Sequence, residues 1–335
     1  MVNVEAVLSQ DVQEVLKTIS KKEIDHVFYV ACGGSQAIMF PAKYYLDQNS
    51  KKLRSDVYNS DEFICRNPLT LSENSLVILC SQTGTTKETV KAAAFAKSKG
   101  ALTLGLTIDR NSPLAKEADF VVQYEAYYTT GIPIDAVNSN YSVLYQLNAG
   151  LVKIFDSIDK TASLAKSLSN LQQVIDKAQI HFNAMTDEYA ERIQNERVIY
   201  SMASGANYGA AYSFAICVLM EMQWINSQAI HSGEFFHGPF EVVDKDMPFI
   251  LMKGIDDTRA IDERAESFLK RFGDEQKVMI LDAKELDFTG VDPEFQTYLT
   301  PLIFFEVLWK FAYKLADLRK HPMLTARRYM KKVDC

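Results

Sequence analysis

The sequence predicts an α/β fold of two halves, each a parallel sheet covered by helices on both faces. Two observations predict it. Short apolar runs rich in β-formers, such as Ser75-Leu-Val-Ile-Leu-Cys80, alternate with helical stretches, each about 10 to 15 residues long. The same strand–turn–helix order then starts again near Val198, as expected of an internal duplication.

In order, Val4 to Ile19 places Val4, Val7, Leu8, Val12, Val15, Leu16 and Ile19 at helical spacing, so it opens as an amphipathic helix. His26 to Ala31 reads as a buried strand ending in Cys32-Gly-Gly-Ser35, with a helix from Gln36 to Leu46. Ser75 to Cys80 is the next strand; Ser81-Gln-Thr-Gly-Thr-Thr86 and a helix from Thr86 to Ser98 follow it. Ala101 to Thr107 and Asp119 to Tyr124 complete the first sheet. Tyr127 to Asp135 is loop by composition, and the helices Ala136–Ser157 and Leu164–Gln194 join the halves. The second half runs through a strand at Val198–Met202 with the turn Ala203–Asn207, then strands at Met247–Met252 and Gln276–Leu281 around a helix at Thr258–Arg271. The expected division is residues 1–160 and 161–335.

Composition narrows the function. A 335-residue chain with 47% hydrophobic and 24% charged residues is globular, with a sizeable core. Its net charge of −7 argues against nucleic acid as a partner, because phosphate backbones select basic surfaces. Five cysteines, an odd number without a CxxC pair, fit a reducing cytoplasm better than a disulfide framework or a zinc ribbon. The early acids of the N-terminus do not fit a signal peptide. The most apolar later run, Tyr298 to Leu318, carries Glu306, Lys310 and Lys314 at steps of four. That spacing predicts one charged stripe on a buried helix, suited to a subunit interface and not to a membrane span.

Chemistry concentrates in Glu221 to Glu241, which holds His231, His237, Glu221, Glu234 and Glu241. From residue types alone, three readings stay open. His231, Glu234 and His237 could hold a metal, Glu221 and His237 could form an acid/base pair, or the stretch is an ordinary helix, loop and helix. Elsewhere, Ser81 to Thr86 offers four hydroxyls, the Gln82 amide and Gly84 where a strand runs into a helix. Such a turn aims backbone N–H groups and the positive helix end at an anion. Cys32 to Ser35 is a second donor cluster on the same expected sheet edge. Neither turn matches GxxxxGK[ST] or GxGxxG, so triphosphates and dinucleotides are not expected.

These motifs, in this order, resemble the SIS (sugar isomerase) proteins. The nearest likeness is to the isomerase half of glucosamine-6-phosphate synthase and to the fructosamine- and glucoselysine-6-phosphate deglycases. The likeness rests on the CGxS turn at Cys32–Ser35, the S-x-[ST]-G-x-T loop at Ser81–Thr86, and Ser139 in Val137-Asn-Ser-Asn-Tyr-Ser. It rests most on Glu221 lying 16 residues before His237, inside Ser232-Gly-Glu-Phe-Phe-His-Gly-Pro239. The resemblance implies two tandem SIS subdomains, each a flavodoxin-like three-layer αβα unit. It implies sugar-phosphate binding by Gly34, Ser35, Ser81, Gln82, Thr83, Thr86 and Ser139, with Glu221 as base and His237 as the ring-opening acid/base. No cofactor or metal is implied. A homodimer or higher oligomer is, since in this family the signature His often comes from the neighbouring subunit and the C-terminal tail covers the site.

The departures sharpen the expectation. No stretch of these residues resembles the glutamine-hydrolysing domain, so ammonia from glutamine is not expected, and the synthase's lysines are replaced here by Val218, Met220, Phe236 and Tyr141. The GEFFHGP run and the ending Arg327-Arg-Tyr-Met look closer to the deglycases. The expected activity is therefore cleavage of a 6-phosphorylated sugar-amine to hexose 6-phosphate and free amine. Aldose–ketose isomerisation, deamination of an amino-sugar phosphate, and a non-catalytic sugar-phosphate sensor stand as alternatives. The second half has no hydroxyl-rich loop after Met247–Met252, so one phosphate site per chain is expected.

Overall fold

The computed structural model describes residues 8–126 and 135–328. Val4, Val7, nearly all of the Tyr127–Asp135 loop and the tail from Tyr329 lie outside the described residues. The chain divides into two compact units, one running to Gln172 with Gly290–Phe295, the other comprising Gln173–Thr289 and the residues from Gln296 on.

The first unit opens with α1 (Gln10–Ile19), which buries Val12, Val15, Leu16 and Ile19 and is capped by the Ser9 hydroxyl. Then come β1 (His26–Ala31), α2 (Gly33–Ala37), α3 (Met39–Asn49), β2 (Arg54–Asn59), α4 (Ser60–Arg66) and β3 (Ser75–Cys80). After these follow α5 (Lys87–Ser98), β4 (Leu102–Thr107), α6 (Pro113–Glu117), β5 (Phe120–Gln123) and α7 (Asn140–Asp156). All pairings are parallel, in the order β2-β1-β3-β4-β5. Because side chains alternate along a strand, Phe28, Val30, Val77 and Leu79 face α4, α5 and α6, where they pack on Phe63, Ala92, Ala93, Ala96 and Leu114. Tyr29 points the other way, and its hydroxyl donates to Asn148 Oδ1 of α7 at 2.6 Å.

The second unit contains β6 (Val198–Ala203), then α8 (Tyr208–Ser213), which continues as a π-helical stretch over Phe214–Met222. Next are β7 (Asn226–His231), β8 (Phe249–Lys253), α9 (Arg259–Phe272) and β9 (Val278–Asp282). Its sheet is also parallel, in the order β7-β6-β8-β9. Two long helices, Thr161–Ile193 and Pro293–Arg319, contribute residues to both units.

Each sheet is flanked by helices, as the apolar pattern predicts. Three local readings change. The Gln36–Leu46 helix is two pieces, α2 and α3. Strands β2 and β7 carry no apolar run, because both lie at sheet edges where half of the backbone faces outward. The charged stripe on the last helix is broken: Lys310 is exposed and Lys314 pairs with Glu191, but burial of the Glu306 carboxyl raises its pKa to about 7. Among the described residues, no helix is long and apolar enough to cross a membrane.

The buried Tyr29–Asn148 bond sits on the strand that delivers Cys32–Ser35, and Asn148 Nδ2 in turn donates to the Ala42 carbonyl at 2.8 Å. Tyr29→Phe leaves the Asn148 carbonyl unsatisfied in the interior. The expected loss is roughly 1–3 kcal/mol of unfolding free energy, read as a lower urea midpoint. An unchanged midpoint contradicts this role.

Candidate active site

Adjacent strands β1 and β3 end at the same sheet edge, so their turns lie side by side. The Cys80 thiol at the end of β3 meets the Ser35 side chain from the other turn; burial pushes that thiol up to about 11. It is an inert, structural cysteine. In the loop, Gly84 adopts φ +65°, a conformation open to glycine, and a Cβ there would lie 2.0 Å from Ser112 Oγ. The Ser81 and Thr86 hydroxyls are 2.9 Å apart, and those of Thr83 and Thr85 2.7 Å apart. Thr86 sits at the N-cap of α5, yet its side chain makes no capping bond. The loop therefore presents hydroxyls and first-turn amides at the positive end of a 12-residue helix. Gly34 and Ser35 lie half-exposed in the neighbouring short helix α2. Ser139, nearly buried, caps α7 by accepting the Ser142 N–H at 3.3 Å.

The second unit has the same two turns, after β6 and β8, with opposite electrostatics. Ser204 donates to the buried carboxylate of Asp262 at 2.7 Å, and the Gly254 N–H donates to that group at 3.2 Å. Asp256 accepts from the Thr258 N–H and hydroxyl. The groups that could hold an anion there already hold protein carboxylates. No signal short of Asp256 and Asp262 themselves announces this in the sequence.

Glu221 lies in the last turn of the helix between β6 and β7. That helix widens into π geometry, a feature frequent at functional sites, and ends with the Ile225 N–H donating to the Leu219 carbonyl. The Glu221 carboxyl is half-buried and has no hydrogen bond or ion pair among the described residues. Burial alone raises its pKa to about 7. Three residues on in the chain, Trp224 is in left-handed conformation at φ 55°. Arg327 of the tail stacks over the Trp224 ring at 3.8 Å and His321 meets its edge at 4.4 Å. The basic tail thus packs against a residue three positions along the chain from Glu221.

His237 closes a short 3₁₀ turn, Phe235–His237, and is exposed. It does not share a face with Glu221. The helix carrying Glu221 packs on β6 and β7, with Tyr208 against His231 at 5.3 Å. The segment carrying His237 packs on the opposite face: Phe235 joins Met202, Ile230, Phe249 and Leu251 against Ala265 and Leu269 of α9. Strand alternation confirms the sidedness, since Ile230 and His231 are consecutive and point opposite ways. The sheet therefore separates Glu221 from His237 within one chain. It also separates His231, whose Nδ1 accepts the Gly233 N–H at 3.1 Å, from His237, so the candidate metal triad is not assembled.

Comparison with known proteins agrees with this architecture. The SIS domain pattern matches residues 19–149. The chain is 50% identical over 329 residues to a fructosamine deglycase of Bacillus subtilis, covering 98% of each chain. It is 29% identical over 335 residues to the fructoselysine 6-phosphate deglycase of Escherichia coli, covering 97% of this chain and 92% of that one. The C-terminal domain of a glucosamine-fructose-6-phosphate aminotransferase from Francisella tularensis superposes with a TM-score of 0.76 at 19% identity, over 96% of this chain and 92% of that one.

The Glu221 environment makes a stability prediction. The folded chain keeps the Glu221 proton to about pH 7, against a model-peptide value of 4.5, so the contribution is present at low pH and is lost as pH rises through that window. Glu221→Gln removes the dependence. At pH 8 the variant is expected to be more stable by on the order of 1–2 kcal/mol, the figure being discounted for partial exposure. At pH 4 the two proteins are expected to melt together. Equal melting temperatures at pH 8 contradict a desolvated carboxylate.

Proposed function

The chain belongs to the SIS-domain family, and from that premise we propose that it is a deglycase of 6-phosphorylated sugar-amines. The observation that carries the mechanism is Glu221, a half-buried carboxyl without a partner and with a pKa of about 7. Such a group both takes and returns protons near neutrality.

The substrate's phosphate is held by Ser81, Gln82, Thr83 and Thr86 with the N-terminal amides of α5, and Gly34 and Ser35 line the adjoining turn. Ser139 holds the start of α7 in place. The carboxylates at the matching turns of the second unit repel a second phosphate, so each chain binds one. His237 opens the sugar ring by moving a proton between the ring oxygen and the hydroxyl. Glu221 then transfers a proton between C1 and C2 through an enol-type intermediate. The product is an imine. Water adds to it, the C–N bond breaks, and the nitrogen leaves as free amine with a proton returned by Glu221. Hexose 6-phosphate remains.

The active unit is a homodimer or a larger ring of copies, because one chain holds Glu221 and His237 on opposite faces of a sheet. A neighbouring copy supplies His237. The reaction runs in the cytoplasm, consistent with the free thiols of Cys32, Cys65, Cys80 and Cys217.

Incubation with fructoselysine 6-phosphate, glucoselysine 6-phosphate and glucosamine 6-phosphate, followed by assay of free amine and hexose phosphate, tests this reading. Amine release from a lysine conjugate is expected, with kcat reduced about 10²–10⁴-fold in Glu221→Gln. Release from none of the three, or near-normal turnover by the variant, overturns it. Sugar-phosphate interconversion without amine release selects the isomerase instead.

A further inference from the structure

We propose that Arg264 is a specificity residue that binds the carboxylate of the substrate's amino-acid portion, presented together with His237. This rests on the deglycase reading and extends it from the sugar phosphate to the amine half of the molecule.

Three observations lead there. First, Phe236, the residue before His237 in the same 3₁₀ turn, is fixed by aromatic neighbours. Its ring lies 5.0 Å from Phe235, 6.1 Å from Phe240 and 5.6 Å from Phe268, centroid to centroid. Second, the Arg264 guanidinium, reaching over from α9, stacks on that ring with Cζ 3.9 Å from the centroid. The stack orients a planar cation beside the catalytic turn. Third, this cation is not consumed by the protein. Arg264 is exposed and makes no hydrogen bond or ion pair among the described residues. The acids on its own helix are engaged elsewhere: Glu263 by Arg259 at 2.7 Å, and Glu266 by Lys253 at 2.5 Å and Lys270 at 2.7 Å. Glu234 and Glu241, exposed in the His237 segment, make no ion pair with it either.

A sugar-amine 6-phosphate derived from an amino acid carries two anions. The phosphate has its donors in Ser81–Thr86; the carboxylate has none yet assigned. A stacked guanidinium with free, coplanar N–H groups is the receptor that a carboxylate fits, in a bidentate pair that a lysine cannot form. The resemblance to the synthase locates a lysine at position 236, and here the apolar ring carries the positive charge on its face through Arg264.

The test compares two conjugates that differ only in that carboxylate: fructose 6-phosphate joined to lysine through its ε-amine, and the same sugar joined to 1,5-diaminopentane. Arg264→Gln is expected to lower kcat/KM for the lysine conjugate roughly tenfold more than for the diamine conjugate, mostly through KM. Arg264→Lys recovers part of the difference, and Phe236→Leu, which removes the platform and keeps the charge, reproduces part of the loss. Equal effects on both conjugates, or no effect, overturn the role of Arg264 while leaving the deglycase standing. Failure of the unaltered protein to release amine from either conjugate sinks the deglycase reading, and this proposal with it.

Discussion

The handedness of a parallel strand crossover governs where Glu221 and His237 can lie in this protein. A chain leaving β6 and re-entering the same sheet as parallel β7 must carry its connecting helix across one face. The return from β7 towards β8 then packs on the other face, where α9 lies. Glu221 is on the first connection and His237 on the second. Their fixed sequence spacing therefore does not describe a local pair.

Within that frame, the two units show how one backbone plan is given opposite electrostatics. In the first, the loop after β3 ends in hydroxyls and an uncapped helix. In the second, Asp262 and Asp256 occupy the corresponding donors. The Glu221 carboxyl meets neither solution: it has been drawn partly out of water without a cation or hydrogen-bond donor to compensate. The cost is stability at neutral pH, which the carboxyl recovers only when protonated.

Much of this was legible in the residues. The buried strands β1, β3, β4 and β8 announce themselves by short runs rich in apolar β-formers, and Ser81–Thr86 by its hydroxyls between a strand and a helix. Edge strands β2 and β7 did not, because Arg54–Asn59 and Asn226–His231 are mostly polar and partly solvated, so that their periodicity resembles loop. Without β7 in view, the sequence does not show that the segments carrying Glu221 and His237 pack on opposite faces of one sheet. Glu306 reads as part of one charged stripe with Lys310 and Lys314 because an i, i+4 pattern of charges has no means of reporting which side chain the core covers. The stack of Arg264 on Phe236 joins residues 28 apart on different elements, and only the folded chain brings them together.

Mixing two disabled copies tests most directly whether Glu221 and His237 act from different chains. In the proposed homodimer, co-expressed Glu221→Gln and His237→Asn chains give mixed dimers in which one site receives both native residues. With random assembly, the account predicts recovery of about a quarter of native deglycase turnover from two separately inactive variants. Mixed preparations that stay as inactive as either variant alone, while shown to contain the mixed dimer, would contradict it.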